Sequence, residues 1–424
     1  MTVYSKNIIH SPFSKTHLHD KKYKRIISVA SKLFNVHGTR GTTLSQIANK
    51  LEFTQSSLYY YVHTKEDLIY QCYLNTCIEI KDILDEALSS PGLAIDKLEI
   101  LFRLNFECWD DIFNGNRGHL VGFTEIASLS TEHQKEIHQY YHYFVIQVKA
   151  LINDGINDGS MQAKSPSKAA IAIWGNIFWL PVWLYDINKE NRKSGCEEWL
   201  SIIKYGLKNT NKHFDFTTMA FGEGHEVPTG FYRNEQDSTK QEAFLIVGSH
   251  FFNKKGFRGT SLDELTRSLG VTKGAFYHHI INKEDLLSKC IDRTFSIEQS
   301  VLTDTITKDL NGINKLAYSA RTMFAIQVGG QGPLIRYATI WSLPLAKREE
   351  KEVIARKIRD LFGAMVQSGI ADKSIREVNL IVAENIIAGA IESIPDMTIA
   401  PQYIDITKDS VDFFDMFFNG IATK

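Results

Sequence analysis

The chain has 424 residues, 43% hydrophobic and 23% charged, with a net charge of −1. These are the proportions of a folded, soluble protein of two to four domains. No apolar run reaches the roughly 18 residues that span a bilayer, and the N-terminal MTVYSKNIIHSPFSKTHLHD has no signal-peptide core, so a cytoplasmic protein without a membrane partner is expected. The five cysteines lack metal-ligand spacing and read as buried free thiols.

In chain order, residues 1–20 read as a flexible basic arm. In KKYKRIISVASKLFNVHG, Ile26, Ile27, Ala30, Leu33 and Phe34 follow helical spacing and Gly38 ends the run. Thr43-x-x-Gln46 is a capping box opening a second helix, LSQIANKL. Thr54 caps a third helix, and Thr64-x-x-Asp67 starts a fourth. Residues 21–68 thus form one small helical domain.

Residues 69–215 continue as amphipathic helices. LFRLNFECW places Phe102, Phe106 and Trp109 on one face, as core or as a ligand-pocket wall. His138 and His142 lie four apart but lack an acidic or cysteine partner, so no metal is expected. AIAIWGNIFWLPVWLYD carries Trp174, Phe178, Trp179 and Trp183, suited to a helix–helix interface, a ligand pocket, or both. Residues 216–238, with three Gly and one Pro, read as a linker that reaches ~75 Å extended or ~26 Å as a coil.

The pattern then starts again. Residues 251–287 align without a gap on 33–69 at a shift of 218, with 14 identities in 37 positions. Ser261-x-x-Glu264 repeats the capping box, Thr272 the third-helix cap, and Asn282-x-x-Asp285 the fourth-helix start. A second small domain spans 239–286, and helices fill 287–424. There LFGAMVQSGIA (361–371) shows a faint likeness to LINDGINDGSM (151–161), a shift of 210. The repeat is therefore a whole domain pair. Residues 1–67 carry 10 Lys+Arg against 4 Asp+Glu, and residues 239–285 carry 7 against 5, so positive charge gathers at the repeats.

The pattern G-x-R-G-T-T-x-x-x-I-A-x-x-L…S-L-Y-Y-Y-V-x-x-K-E-D-L resembles the TetR/AcrR family of bacterial transcriptional regulators, over about 50 residues in each half. The resemblance implies an all-α chain of two fused TetR-like subunits. Each has an N-terminal helix-turn-helix and a C-terminal helical domain for ligand binding and dimerisation. It implies that the third helix enters the major groove of an operator in double-stranded DNA. Tyr59 and Tyr277 then donate to phosphates, as do Lys65 and Lys283 and the helix N-termini at Thr43 and Ser261. Base-reading candidates are Gln55, Ser57 and Tyr60 in one copy and Lys273, Ala275 and His278 in the other. Taken in isolation, Tyr59-Tyr60-Tyr61 could equally be helix packing; the repeat favours the phosphate role for Tyr59. Glu52 stands where the second copy has the turn glycine Gly270, which predicts an altered turn in the first copy.

The expected function is DNA-binding transcriptional regulation, as a repressor released by a small apolar or amphipathic ligand. The aromatic sets Phe102/Phe106/Trp109 and Trp174/Phe178/Trp183 are the candidate ligand wall. The halves are expected to pair as an intramolecular pseudo-dimer through residues near 170–186, 198–214, 378–395 and 405–420, with further homodimerisation left open. The alternative is a ligand-sensing or protein-interaction scaffold of the same fold with weakened DNA binding. No P-loop, catalytic triad or zinc motif is present, so no catalytic residue and no cofactor are expected.

Overall fold

The computed structural model describes residues 17–423 except 124, 185–186, 211, 218, 220, 222–234, 330 and 399–403. Most of the expected arm and most of the expected linker lie outside the described residues. The first half contains α1 (His17–Gly41), α2 (Leu44–Leu51), α3 (Gln55–Tyr59), α4 (Lys65–Ser89), α5 (Ala94–Asn114), α6 (Thr131–Asn157), α7 (Pro166–Trp183) and α8 (Arg192–Tyr205). The second repeats them as α9 (Glu235–Gly259), α10 (Leu262–Ser268), α11 (Lys273–Tyr277), α12 (Lys283–Thr307), α13 (Gly312–Val328), α14 (Leu345–Ala371), α15 (Leu380–Ser393) and α16 (Ile406–Asn419). The only β pairing among the described residues is two isolated bridges. No described helix is long and apolar enough to cross a membrane. All five cysteines are free and buried.

Ten of the described helices, α4 and α12 among them, begin where the sequence offers a side-chain acceptor for the orphan N–H groups of a first turn. Thr64 accepts from the Asp67 N–H at 3.0 Å and Asn282 from the Asp285 N–H at 2.9 Å. α1 starts inside the stretch expected to be an arm, and the His19 ring lies 4.7 Å from that of Tyr61. In the expected linker, Phe216 is buried, and its carbonyl and that of Met219 accept from Arg321 at 2.7 and 2.5 Å.

Matching contacts fix the equivalence of the halves. Asn35 Nδ2 donates to the Leu120 carbonyl at 2.7 Å, and Asn253 Nδ2 to that of Leu334 at 2.9 Å. The Ala94 N–H donates to Asp158 at 2.9 Å, and the Gly312 N–H to Asp372 at 2.7 Å. The shift is thus 218 up to the start of α13 and 214 beyond it. The four missing residues are one turn: α5 has 21 residues and α13 has 17. This corrects the shift of 210 expected for the later helices: residues 151–161 pair with 365–375. A slip of four residues is close to one helical turn, so it keeps apolar positions aligned and periodicity cannot detect it.

The halves meet through four helices. α7 crosses α15, and α8 lies against α15 and α16. At the crossing, a Cβ on Gly175 would fall 2.3 Å from that of Ser393, and one on the equivalent Gly389 would fall 3.0 Å from that of Trp179. Only glycine lets the backbones come this close.

Beyond α8 and α16 the two chain segments bond each other reciprocally. Leu207 N–H donates to Phe417 O as Ile421 N–H does to Ile203 O, each at 3.0 Å. Lys208 donates to Phe418 and Ala422 to Lys204, at 3.2 and 3.0 Å. Gln162 donates to Ile421 and Arg376 to Leu207, at 2.7 and 3.0 Å. Asn209 donates to Ser374 and Thr423 to Ser160, at 3.0 and 3.1 Å. Contacts in which i meets j as j′ meets i′ are the mark of a two-fold relation.

Candidate nucleic-acid interface and the cavity between the halves

Each head is built by local chemistry that recurs. Gly38 (φ 70°) and Gly256 (φ 64°) break α1 and α9, and the hydroxyls of Thr42 and Thr260 donate back to their carbonyls at 2.9 and 2.7 Å. Thr43 accepts from the Gln46 N–H at 3.1 Å while Gln46 Oε1 accepts from the Thr43 N–H at 2.7 Å, closing the capping box. In the second head Ser261 accepts from the Glu264 N–H at 3.4 Å. Thr54 and Thr272 cap α3 and α11 through the Ser57 and Ala275 N–H groups at 3.1 and 3.2 Å. Leu58 and Phe276 are buried, as are Ile47 and Leu265.

The turn between α2 and α3 corrects one expectation. Glu52 adopts φ 59° and ψ 35°, and Gly270 adopts φ 64°. The first turn is therefore not altered; a glutamate holds the left-handed conformation that its counterpart reaches without a Cβ.

The outward residues of α3 and α11 are those expected from the repeat. Gln55, Ser57, Lys273, Ala275 and His278 are exposed, as are Thr43 and Ser261. Tyr59 and Tyr277 are 47% and 48% exposed and Tyr60 is 58% exposed. The Tyr60 ring lies 5.2 Å from Tyr61 and 5.9 Å from His19, so it is propped from its own side. The Ser57 hydroxyl is 2.7 Å from that of Thr54. Lys273 pairs with Asp263 at 2.7 Å, and both are exposed.

Lys65 and Lys283 are half-buried. Burial pushes the Lys65 ammonium down to about 8; the charge of Arg258 adds to this and Glu125 opposes it. Burial, then Arg40, lowers Lys283 in the same way. Lys283 Nζ donates to the Thr260 carbonyl at 2.9 Å and lies 4.7 Å from the centre of the Phe257 ring. Each of these ammonium groups therefore sits beside the arginine of the other head, a like-charge arrangement relieved by an anion.

The heads touch. Arg40 pairs with Glu284 at 3.3 Å and stacks on Phe257 at 4.7 Å. Each also rests on the opposite half: Trp341 Nε1 donates to the Asn35 carbonyl of the first head at 2.7 Å, and α9 of the second head packs against residues 126–128. Nearby, the Ser342 hydroxyl donates to Glu125 at 3.0 Å. Below this junction lies a cavity of ≈ 550 Å³ lined by both halves. Of the six expected ligand-wall residues, Phe178 lines it. Phe102, Phe106, Trp109, Trp174 and Trp183 are buried in the core of the first half, with Phe102 4.4 Å from Trp199 and Trp174 5.1 Å from Phe144.

Sequence reasoning passed over Arg40 and Arg258, although the G-x-R-G repeated in both copies carries them. It also passed over Tyr141, Glu392 and Asp396, for which the repeat gives no signal. Tyr141 donates to Asp396 at 2.8 Å across the halves, and Asp396 also pairs with Arg336.

Residues 26–72 and 247–290 both match the family described as "Bacterial regulatory proteins, tetR family". Residues 97–186 match "Tetracyclin repressor-like, C-terminal domain". The chain is 28% identical over 159 residues to the Transposon Tn10 TetC protein of Escherichia coli, covering 37% of this chain and 79% of that one. It is 42% identical over 57 residues to the HTH-type transcriptional regulator AcrR of Shigella flexneri, covering 12% of this chain and 26% of that one. Among solved structures, AibR in complex with isovaleryl coenzyme A and operator DNA is 16% identical, covers 43% of this chain and 97% of its own, and gives a TM-score of 0.36. With the helix-turn-helix matched in both halves and its outward residues exposed in both, the chain belongs to the tetR family of DNA-binding transcriptional regulators.

Proposed function

We propose that this regulator is a cytoplasmic repressor in which one chain does what a two-fold dimer does elsewhere. Its two heads engage one operator together, and a small apolar or amphipathic effector releases it. The observation that carries this reading is the set of eight reciprocal hydrogen bonds around Gly206 and Gly420. Those bonds hold the halves as isologous partners are held, and both heads keep an exposed tyrosine and a half-buried lysine. Phosphate oxygens satisfy the ammonium groups of Lys65 and Lys283, crowded by Arg258 and Arg40. Tyr59 and Tyr277 fix register, and Gln55, Ser57, Tyr60, Lys273, Ala275 and His278 face the bases. Lys273 exchanges Asp263 for its base. An effector that favours another head spacing by about 1–3 kcal/mol weakens operator binding roughly 5–150-fold.

An altered first turn would favour the scaffold alternative, as does the small charge excess of the second head; Glu52 keeps the same turn as Gly270, so only the second of these stands. The test is stoichiometry. An operator is selected from genomic DNA with the purified chain, and the complex is weighed by light scattering. One 48.3 kDa chain per operator is expected; two chains per operator, each using one head, refute the reading.

A further inference from the structure

The cavity between the halves lies on the pseudo-two-fold but is not itself two-fold. At the shift of 214, Phe178 corresponds to Glu392, Trp179 to Ser393 and Val182 to Asp396, and all six line it. Both halves add rings, Phe123 and Tyr141 from the first and Tyr337 and Trp341 from the second, and the first half adds the carboxylate of Glu125, which accepts from the Thr39 N–H and the Ser342 hydroxyl. The difference lies at the crossing, where the second half sets Glu392 and Asp396 opposite Phe178 and Val182. There Arg336 is committed to Asp396, which also accepts from Tyr141. Glu392 accepts from the Tyr337 N–H at 3.1 Å. Desolvation pushes its carboxyl up to about 7, against the opposing pull of Arg336; neighbouring Glu298, which lines a separate small pocket, reaches about 8. A cation arriving beside Glu392 relieves this desolvation, and the facing rings attract it as well. Arg40, Lys254 and Arg258 also line the cavity, but they are exposed on the side of the heads, where solvent and salt screen them.

We propose that this cavity is the single effector site of the chain, and that it takes a flat aromatic amine in its protonated form. The ammonium lies toward Glu392 and the rings lie against Trp179, Phe178 and Phe123. A volume of ≈ 550 Å³ suits one such molecule. The roof is Thr39, Arg40, Phe257 and Arg258, the residues of the head–head junction. Filling the cavity therefore bears directly on head spacing. The proposal rests on the effector-release reading above and gives it a place and a ligand class.

The test uses the full chain without DNA at pH 8 and two matched probes, 1-pyrenylmethylammonium and 1-pyrenecarboxylate, followed by calorimetry and by energy transfer from tryptophan. One ammonium bound per chain is expected, about tenfold or more tighter than the carboxylate. Glu392→Gln, which keeps size and shape, should lose about tenfold of that affinity. Trp179→Leu should also weaken binding, with thermal melting checking that it folds. Phe106→Leu, in the core away from the cavity, should leave binding unchanged. Failure of the ammonium to bind, two sites per chain, equal affinity for the two probes, or indifference to Glu392→Gln overturns the proposal. Operator release is measured separately. If the ammonium binds as expected and the operator stays bound, the release reading falls and the site stands.

Discussion

Gly206 is the position where the pairing of the halves can be broken with one methyl group. It sits at φ 73° and ψ −175°, a region open essentially to glycine alone. A Cβ there would lie 2.3 Å from the Phe418 carbonyl oxygen and 2.7 Å from the Gly420 nitrogen. Both are backbone atoms, which cannot rotate aside. Gly206→Ala therefore costs roughly 1–3 kcal/mol of backbone strain. It also displaces the Leu207, Lys208 and Arg376 hydrogen bonds to the opposite half, each worth a net of about 1 kcal/mol. The combined loss of about 4–6 kcal/mol corresponds to a fall in Tm of roughly 8–24 °C for a unit of about 200 residues. Gly159→Ala is the control, since Gly159 has φ 80° and nothing within 4 Å of an added Cβ. Its counterpart Lys373 already holds φ 64° with a side chain, so this change should cost only about 1 kcal/mol. Calorimetry and operator binding by anisotropy read both variants. Gly206→Ala should melt lower and lose the affinity that depends on joining two half-sites. Equal melting temperatures for the two variants would falsify the claim that this backbone contact holds the halves together.

Glu52→Gly should raise stability by roughly 0.5–1 kcal/mol in chemical denaturation, the relieved left-handed strain exceeding the added freedom of the unfolded chain; a destabilised variant counts against the turn as described. Tyr59→Phe and Tyr277→Phe should each weaken operator binding without changing sequence preference, and Lys65→Ala and Lys283→Ala should each flatten the salt dependence by about one unit of slope. An unchanged slope with intact folding refutes the phosphate role. Lys273→Gln should relax preference in one half-site only, a mismatch at a read base pair costing ~1–3 kcal/mol; sequencing of selected DNA decides, and a change spread over both half-sites is the refuting result. Burial raises the carboxyls of Glu298 to about 8 and Glu392 to about 7 from 4.5, so between 4.5 and those values the folded state holds protons that the unfolded chain has released. Stability should therefore fall as pH rises through this window, and Glu298→Gln with Glu392→Gln should flatten the fall in melting temperature between pH 6 and 8.5.

The heads were legible because their signals are local. A cap needs a hydroxyl or carboxamide at one position, a turn needs a small or tolerant residue, and both copies show them at the same spacing. Ser261, Thr272 and Asn282 could be placed from sequence because each bonds a backbone N–H three residues on. The later helices were legible as helices but not in register, since the missing turn in α13 leaves the apolar face continuous. The cavity was not legible at all. Phe178 and Glu392 meet around it only because α7 and α15 cross at Gly175 and Gly389; the resemblance implied that these segments pair, but it gave neither the crossing point nor the residues that line the space beside it. The tryptophans drew attention as a ligand wall, yet Trp174 and Trp183 fill the first half's own core while Trp179 reaches across it to donate to Asn385 at 3.3 Å.

The pattern of what the halves share follows from where backbone meets backbone. Gly206 and Gly420 are both glycine, as are Gly175 and Gly389, because a Cβ at any of them would strike the other half. Where side chains face open space the halves have parted. Phe178 stands opposite Glu392 in the cavity, and TQSSLYYYV stands opposite TKGAFYHHI on the surface of the heads. In a homodimer the first kind of position and the second are bound to the same identity in both copies, since one gene segment encodes both. In one chain only the first kind is constrained by contact. A two-fold frame with unlike heads has a direction, so an operator with two unlike half-sites is expected to take the chain in one orientation, and a perfect palindrome selected from genomic DNA would count against this.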